Sequence, residues 1–336
     1  MKKPVNYTIE PAKGQALLSF QGRRLPDKIE FFETIVTEEV RQNGQKKLKI
    51  DSDLNADFRN LLIHGDCLSA CAYLKNENLK IDMVYIDPPF ASGANYAKKI
   101  NLRTGNGKSA FENSTNEIGE EIMYSDIWQK EDYLNWLYER FLAIREVMSE
   151  TASIYVHLDR NVGHYVKVLL DEVFGEENFR GEIIWANLSV SGFKSQANNW
   201  IRGHDNIFYY KKSEEVVFNK DFLKEFSEGT VRRYDKMDSD GRRYKIYYEG
   251  LEERKRYLDE SEGLPIADTW IDINSMQTAM GSEYLDYSTQ KPEALLDRII
   301  RASSTEGMVV ADFFSGSGVT AKVANDLGRK FIACDI

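Results

Sequence analysis

The chain has 336 residues, 42% hydrophobic and 29% charged, with a formal net charge of −10. That is the composition of a globular protein large enough for one substantial core with an insertion. No run of about 18 apolar residues occurs and the first ten residues lack the apolar stretch of a signal peptide, so no helical membrane span is expected and the expected location is the cytoplasm. Cys67, Cys71 and Cys334, with His64, His157, His164 and His204, form neither a disulfide framework nor a metal-ligand spacing, and no bound metal is expected.

Residues 1–58 are polar and weakly periodic, with turn signals at Gly22, Pro26 and Gly44; they read as a covering arm without chemistry of their own. Leu61–His64 is a short strand running into Gly65 and Asp66, followed by a helix over Leu68–Leu74. Met83–Ile86 is an apolar strand of the kind buried on both faces. The segment from Ala91 to Gln129, rich in Gly, Asn and Ser, reads as a mobile loop, because loops of that length in compact domains are mostly functional or disordered. Leu134, Leu137, Phe141, Ile144 and Met148 recur at helical spacing and predict an amphipathic helix over Asp132–Ser149. A strand at Ser153–His157, a helix at Tyr165–Phe174 closed by Gly175, and strands at Glu182–Trp185 and Ile207–Tyr210 follow. Such alternation argues for a mostly parallel sheet flanked by helices.

Between Ser213 and Leu285 that rhythm breaks. Nine Lys/Arg stand against six Asp/Glu from Gly229 to Arg256, interleaved with Tyr234, Tyr244, Tyr247 and Tyr248. A solvated hairpin would look like this, and so would a surface that grips a polyanion and stacks on its bases. From Thr289 the alternation resumes: a helix at Pro292–Ala302, a strand at Met308–Phe313, a glycine turn, a helix at Thr320–Leu327 and a strand at Lys330–Asp335. The expected division is an arm (1–58), a first half of the main domain (59–212), an insert (213–285) and a second half (286–336).

Two stretches carry chemistry. In V-Y-I-D-P-P-F, Val84–Phe90, a strand ends in Asp87, Pro88, Pro89 and Phe90. Proline cannot donate to a ladder, so the prolines stop the strand and leave carbonyls free beside the Asp87 carboxylate. Phe90 adds a ring face, and the set suits a planar group bearing an amine, such as a nucleobase edge. In V-V-A-D-F-F-S-G-S-G-V-T, Val309–Thr320, Gly316 and Gly318 let backbone approach a ligand at a helix amino terminus. Asp335 ends the next strand, where it can accept from ribose hydroxyls. The three-glycine pyrophosphate fingerprint is absent, so a nucleoside without a pyrophosphate is the better fit.

I-D-P-P-F, then S-T-Q-K-P-E and D-F-F-S-G-S-G-V-T, resembles the amino-methyltransferases of DNA in the permuted class whose catalytic motif precedes the cofactor motif. L-L-I-H-G-D-C-L, S-I-Y-V-H-L-D-R, G-E-I-I-W and R-K-F-I-A-C-D extend the likeness to modification subunits of type III restriction-modification systems, over roughly residues 61–336. The resemblance implies a Rossmann-like α/β fold with a mostly parallel seven-stranded sheet, and S-adenosylmethionine as cofactor. It places Asp66 on the adenine, Asp312, Phe314, Ser315, Gly316, Ser317 and Gly318 around the methionine and nucleoside, Asp335 on the ribose, and Lys291-Pro292 beside the methionine tail. Phe90 stands where tyrosine is commonest, and Phe313 where proline is frequent. Asp87 at the head of the motif favours adenine N6 over cytosine N4, where serine is more usual. The implied partner is double-stranded DNA; a restriction (nuclease/translocase) subunit and a second copy of the chain are further partners to test. Cytosine-N4 DNA or RNA methylation, methylation of a protein amide, and an incomplete DNA-binding unit are the rival readings. The last arises because the chain stops at Ile336, where this fold is expected to continue into a helix.

Overall fold

The structure, a computed structural model, describes residues 5–10, 13, 14, 17–35, 39, 40, 46, 47, 60–89, 95–99, 120–125, 130–186, 198–219, 223, 224, 226–260, 264–276, 283–285, 287 and 289–336. The chain divides into two compact units, residues 1–217 with 269–336, and residues 218–268.

The first unit is built on a sheet of β1 (Leu61–His64), β2 (Ile81–Ile86), β3 (Met148–Leu158), β4 (Phe179–Trp185), β5 (Asp205–Lys211), β6 (Thr269–Trp270), β7 (Val309–Asp312) and β8 (Lys330–Asp335). Across the sheet the order is β6-β4-β5-β3-β2-β7-β8-β1. From β1 through β8, β7 and β2 to β3 every pairing is parallel. β5 alone is reversed, antiparallel to both β3 and β4. This is the Rossmann-like α/β sheet of seven strands, six of them sharing a direction, with β6 as an added edge. β6 pairs only Ile184 with Thr269 and Trp185 with Trp270, and is pinned where the Trp185 indole donates to Ile273 O at 2.9 Å. Two residues carry no periodicity, so no sequence pattern announces that strand.

Helices α1 (Cys67–Asn76), α2 (Lys130–Val147), α3 (Gly163–Phe174), α4 (Glu293–Ser303) and α5 (Val319–Asp326) complete the layers, with α1, α2 and α3 packed side by side and α4 against α5. Each starts and faces as its residues dictate. Asp66 caps α1 by accepting from Ser69 N at 2.9 Å, the ordinary use of Asp at that position. In α4, Leu295, Leu296, Ile299 and Ile300 make one buried stripe behind Pro292, which has no N–H to leave unsatisfied. β2 is apolar almost throughout because both its faces are covered: Met83, Val84, Tyr85 and Ile86 are all buried.

α2 departs from the amphipathic expectation. Its polar residues Asn135 and Arg145 are buried among its apolar ones, because the N-terminal arm covers the face that would otherwise meet water. Asn135 accepts from Arg24 N at 2.8 Å and donates to Gly22 O at 2.9 Å. Arg145 donates to Glu10 O and to Val173 O on α3. Within the arm, strands Val5–Thr8 and Lys28–Phe31 pair, Ile9 and Ile29 enter the core, and Arg23 bonds the buried carboxylate of Glu172 at 2.6 Å.

Of the segment read as a mobile loop, the described part is a hairpin, Asn95–Lys99 with Glu120–Ser125; the remainder lies outside the described residues. The second unit holds a three-stranded sheet of Lys236–Met237, Arg243–Glu249 and Glu252–Tyr257, with a one-turn helix, Glu228–Arg232, capped by Ser227. Among the described residues no helix is long and apolar enough to cross a membrane.

Candidate active site

Parallel pairing brings the carboxyl ends of β1, β8, β7 and β2 to one edge of the sheet, and an acid closes each of them. Asp66 follows β1 by two residues, Asp335 ends β8, Asp312 ends β7 and Asp87 follows β2. The register is tight: Asp335 lies opposite His64, Asp312 opposite Ala333 and Ala311 opposite Val84. From β7 the chain proceeds through α5 to β8 on one side, and from β2 through α2 to β3 on the other. The boundary between β7 and β2 is therefore the topological switch point, where open α/β sheets hold their ligands.

Asp87, Pro88 and Pro89 stand at that boundary. Lys291 Nζ donates to Asp87 Oδ2, whereas Oδ1 is buried and has no partner among the described residues. The Pro89 carbonyl accepts from the Tyr133 hydroxyl. Tyr133 stacks on Trp136 with centroids 5.9 Å apart, and Trp136 tilts against Phe314 at 5.5 Å, so a line of rings joins the Asp-Pro-Pro turn to the glycine turn. Phe90 lies outside the described residues.

The glycine turn is built around its two acids. Asp312 is buried; it accepts from Phe314 N at 3.0 Å and from the Thr320 hydroxyl at 2.5 Å. Burial, reinforced by Asp87 and Asp335 and opposed by those two hydrogen bonds, pushes its carboxyl up to about 7. Asp335 accepts from Gly316 N, and Ser315 N bonds Cys334 O at 3.0 Å. Gly316 and Gly318 have φ of 49° and 80°, left-handed values that side chains disfavour. A Cβ on Gly316 would come 3.1 Å from the Tyr287 ring, whereas one on Gly318 would meet nothing within 4 Å. Ser317 completes the turn between them.

A second layer lies behind Asp87. The Tyr85 hydroxyl and His157 Nδ1 bond at 2.8 Å, and burial, then the Lys291 ammonium, pushes the imidazole down to about 3, so His157 is neutral. Burial raises the Tyr85 and Tyr287 hydroxyls, with Asp87 adding to both.

Of the residues singled out in the sequence, the fold brings Asp87, Pro88, Pro89, Asp312, Phe314, Ser315, Gly316, Ser317, Gly318 and Asp335 to one edge of the sheet. Asp66 shares that edge as a helix cap, and Pro292 precedes α4. Lys291, expected beside a methionine tail, donates to Asp87 Oδ2. Tyr133, Trp136, Tyr287 and His157 also belong to the site, and the sequence does not announce them. Tyr133 and Trp136 sit three apart on one helix face, a spacing that also fits plain core packing; Tyr287 and His157 carry no motif.

Three mutually repelling carboxylates around an open glycine turn fit a ligand that is cationic at its centre and hydroxylated at one end. S-adenosylmethionine is such a ligand. Residues 81–336 match the N6_N4_Mtase model of DNA methylases, and the chain belongs to that family; it is a DNA methyltransferase with S-adenosylmethionine as cofactor. It is similar to the type II methyltransferase M.EcaI of Enterobacter cloacae, 25% identical over 88% of this chain and 72% of that one. It is also 25% identical to the type III StyLTI Mod subunit of Salmonella typhimurium, over 84% of this chain and 53% of the subunit. The Escherichia coli DNA adenine methyltransferase YhdJ is 25% identical over 82% of this chain and 78% of its own length.

Proposed function

We propose that the protein methylates the exocyclic N6 of adenine within a specific sequence of double-stranded DNA, as the modification activity of a restriction-modification system. The observation that carries this is the partnerless buried Oδ1 of Asp87 beside the glycine turn, partnerless among the described residues. A buried acceptor without a donor is costly, and an exocyclic amine supplies the missing N–H.

The amine of adenine is a weak nucleophile because its lone pair is delocalised into the ring. Asp87 Oδ1 and the Pro88 carbonyl accept its two N–H bonds, hold the nitrogen toward tetrahedral geometry and stabilise the positive charge that develops on it; a carboxylate does this about twice as strongly as a neutral acceptor. When bound, the cofactor would supply the methyl group from its sulfonium, the S–CH3 bond breaking to leave a neutral thioether as the N–CH3 bond forms, with one N6 proton lost to solvent. Asp335 would hold the cofactor's ribose, and Asp312, Phe314 and the 315–318 turn its nucleoside. A base within a duplex is out of reach, so the target is flipped out, and Phe90 stacks on it at about 1–3 kcal/mol. The relatives named as adenine methyltransferases and Mod subunits support the choice of base and of system, with a restriction subunit as partner.

Sequence choice falls to the insert, whose hairpin pairs Lys245 with Arg256 directly across strands. Exchanging residues 213–285 with those of a relative should move the methylated sequence with the segment. The decisive experiment is modification-sensitive sequencing of DNA from cells expressing the protein or its Asp87→Ala variant. N6-methyladenine in one sequence, present with the first and absent with the second, is the expected result; N4-methylcytosine would reassign the base, and methylation retained by the variant would overturn the site.

A further inference from the structure

We propose that Lys291 is a positioning residue for methyl transfer: its ammonium grips Asp87 Oδ2 and so presents Oδ1 to the target amine. This rests on the methyl-transfer reading above and adds a residue to it. A carboxylate on a single Cα–Cβ–Cγ stem can turn either oxygen, or neither, toward a substrate. Fixing one oxygen by a charge-assisted bond fixes the other.

The lysine is placed for that task by its own turn. Gln290 is buried and binds the preceding backbone twice, donating to Glu283 O at 2.6 Å and accepting from Leu285 N at 2.8 Å. Its own N–H reaches Tyr287 O, and Glu293 N is held by the Glu283 carboxylate. Lys291 therefore leaves a backbone tied down on both sides, immediately before α4. Its side chain and that of Asp87 are 14% and 16% exposed, a degree of burial at which an ion pair is little screened. Tyr287, four residues back, lies over Gly316. The same short turn thus touches the cofactor loop at one end and the catalytic acid at the other.

The other charged and titratable groups around Asp87 do not take over this role. His157 is neutral, Tyr85 and Tyr287 carry hydroxyls whose protons are held more tightly than usual, and Asp312 and Asp335 repel a second carboxylate. Lys291 supplies the opposing charge.

The alternative, a lysine that serves the methionine carboxylate, predicts a different pattern, and the test separates the two. Wild type, Lys291→Met and Lys291→Arg, all full chain, are compared in single-turnover methylation of DNA at saturating S-adenosylmethionine and in calorimetric cofactor binding. The expected loss in rate for Lys291→Met is about 10²-fold, the size of effect that an ångström of misplacement produces, with most of it recovered in Lys291→Arg. Cofactor affinity should stay within about threefold, well under 1 kcal/mol. A large loss of cofactor affinity with an unchanged saturated rate would overturn the proposal in favour of the tail contact. A third measurement needs no turnover. In the cofactor-free protein the Tm losses of Lys291→Met and Asp87→Asn should fail to add in the double variant, as contacting residues do; strict additivity would overturn the grip itself. Absence of methyl transfer by the wild type would overturn the functional reading and this role with it, whereas an unchanged variant rate or additive Tm losses overturn this role alone.

Discussion

Asp312→Asn offers the sharpest physical test of the cleft. The carboxyl of Asp312 rises from an ordinary 3.8 to about 7, chiefly through burial, a change worth roughly 4 kcal/mol. The sign follows from proton counting. Between those two values the folded protein holds a proton that the unfolded chain has released, so the stability this group contributes is present at low pH and is lost as pH rises toward 7. Asparagine cannot ionise and removes that slope, at a cost of about 1 kcal/mol for one weakened hydrogen bond to Thr320 or Phe314. The stability of the variant relative to wild type should therefore improve by roughly 3 kcal/mol between pH 5 and pH 8. Urea denaturation of both cofactor-free proteins across that range measures the difference, and taking the difference cancels every other titrating group. A gap independent of pH, or one that narrows in the variant's disfavour as pH rises, would refute the assignment of a destabilised acid at the end of β7.

Cofactor affinity should respond to the same acid: binding to wild type should strengthen about tenfold from pH 6 toward pH 8 as Asp312 ionises and level off above, while Asp312→Asn stays flat by calorimetry. Gly316→Ala should lower cofactor affinity and Tm more than Gly318→Ala, since only the first meets the Tyr287 ring as well as the left-handed backbone cost of about 1–2 kcal/mol; Tyr287→Ala in the same chain should recover the steric part. Arg23→Ala leaves Glu172 buried without its cation and should cost about 3–5 kcal/mol in chemical denaturation without altering cofactor affinity. Lys245→Ala with Arg256→Ala should reduce the salt dependence of DNA binding by nearly two units of slope, about 0.9 for each phosphate no longer neutralised, while the methylated sequence stays the same.

Much of the fold was legible because its signals are local. The switch from apolar strand to Asp-Pro-Pro at 87–89, the glycines at 316 and 318, and the helical spacing of Leu295, Leu296, Ile299 and Ile300 each act through chemistry contained in a few adjacent residues. What escaped depends on distant partners. The polar residues of α2 looked like a wetted face; nothing near Asn135 or Arg145 reveals that Gly22, Arg24 and Glu10 will cover them. Lys291 and Asp87 are 204 positions apart, and the motif containing each reads as complete without the other. Tyr133 and Trp136 are ordinary core aromatics until the turn at 312–318 is placed against them.

The strand order has a consequence in time as well as in space. β7 and β8 lie between β1 and β2, although the ribosome delivers β1 and β2 first and joins them directly through α1. At about 5–20 residues per second, the interval from Asp87 to Asp312 is on the order of tens of seconds. Through that interval β1 and β2 hold open the edges that β8 and β7 will occupy, and such edges invite pairing with other chains. Residues 309–335 can enter only the middle of the sheet, between strands that precede them by more than two hundred positions.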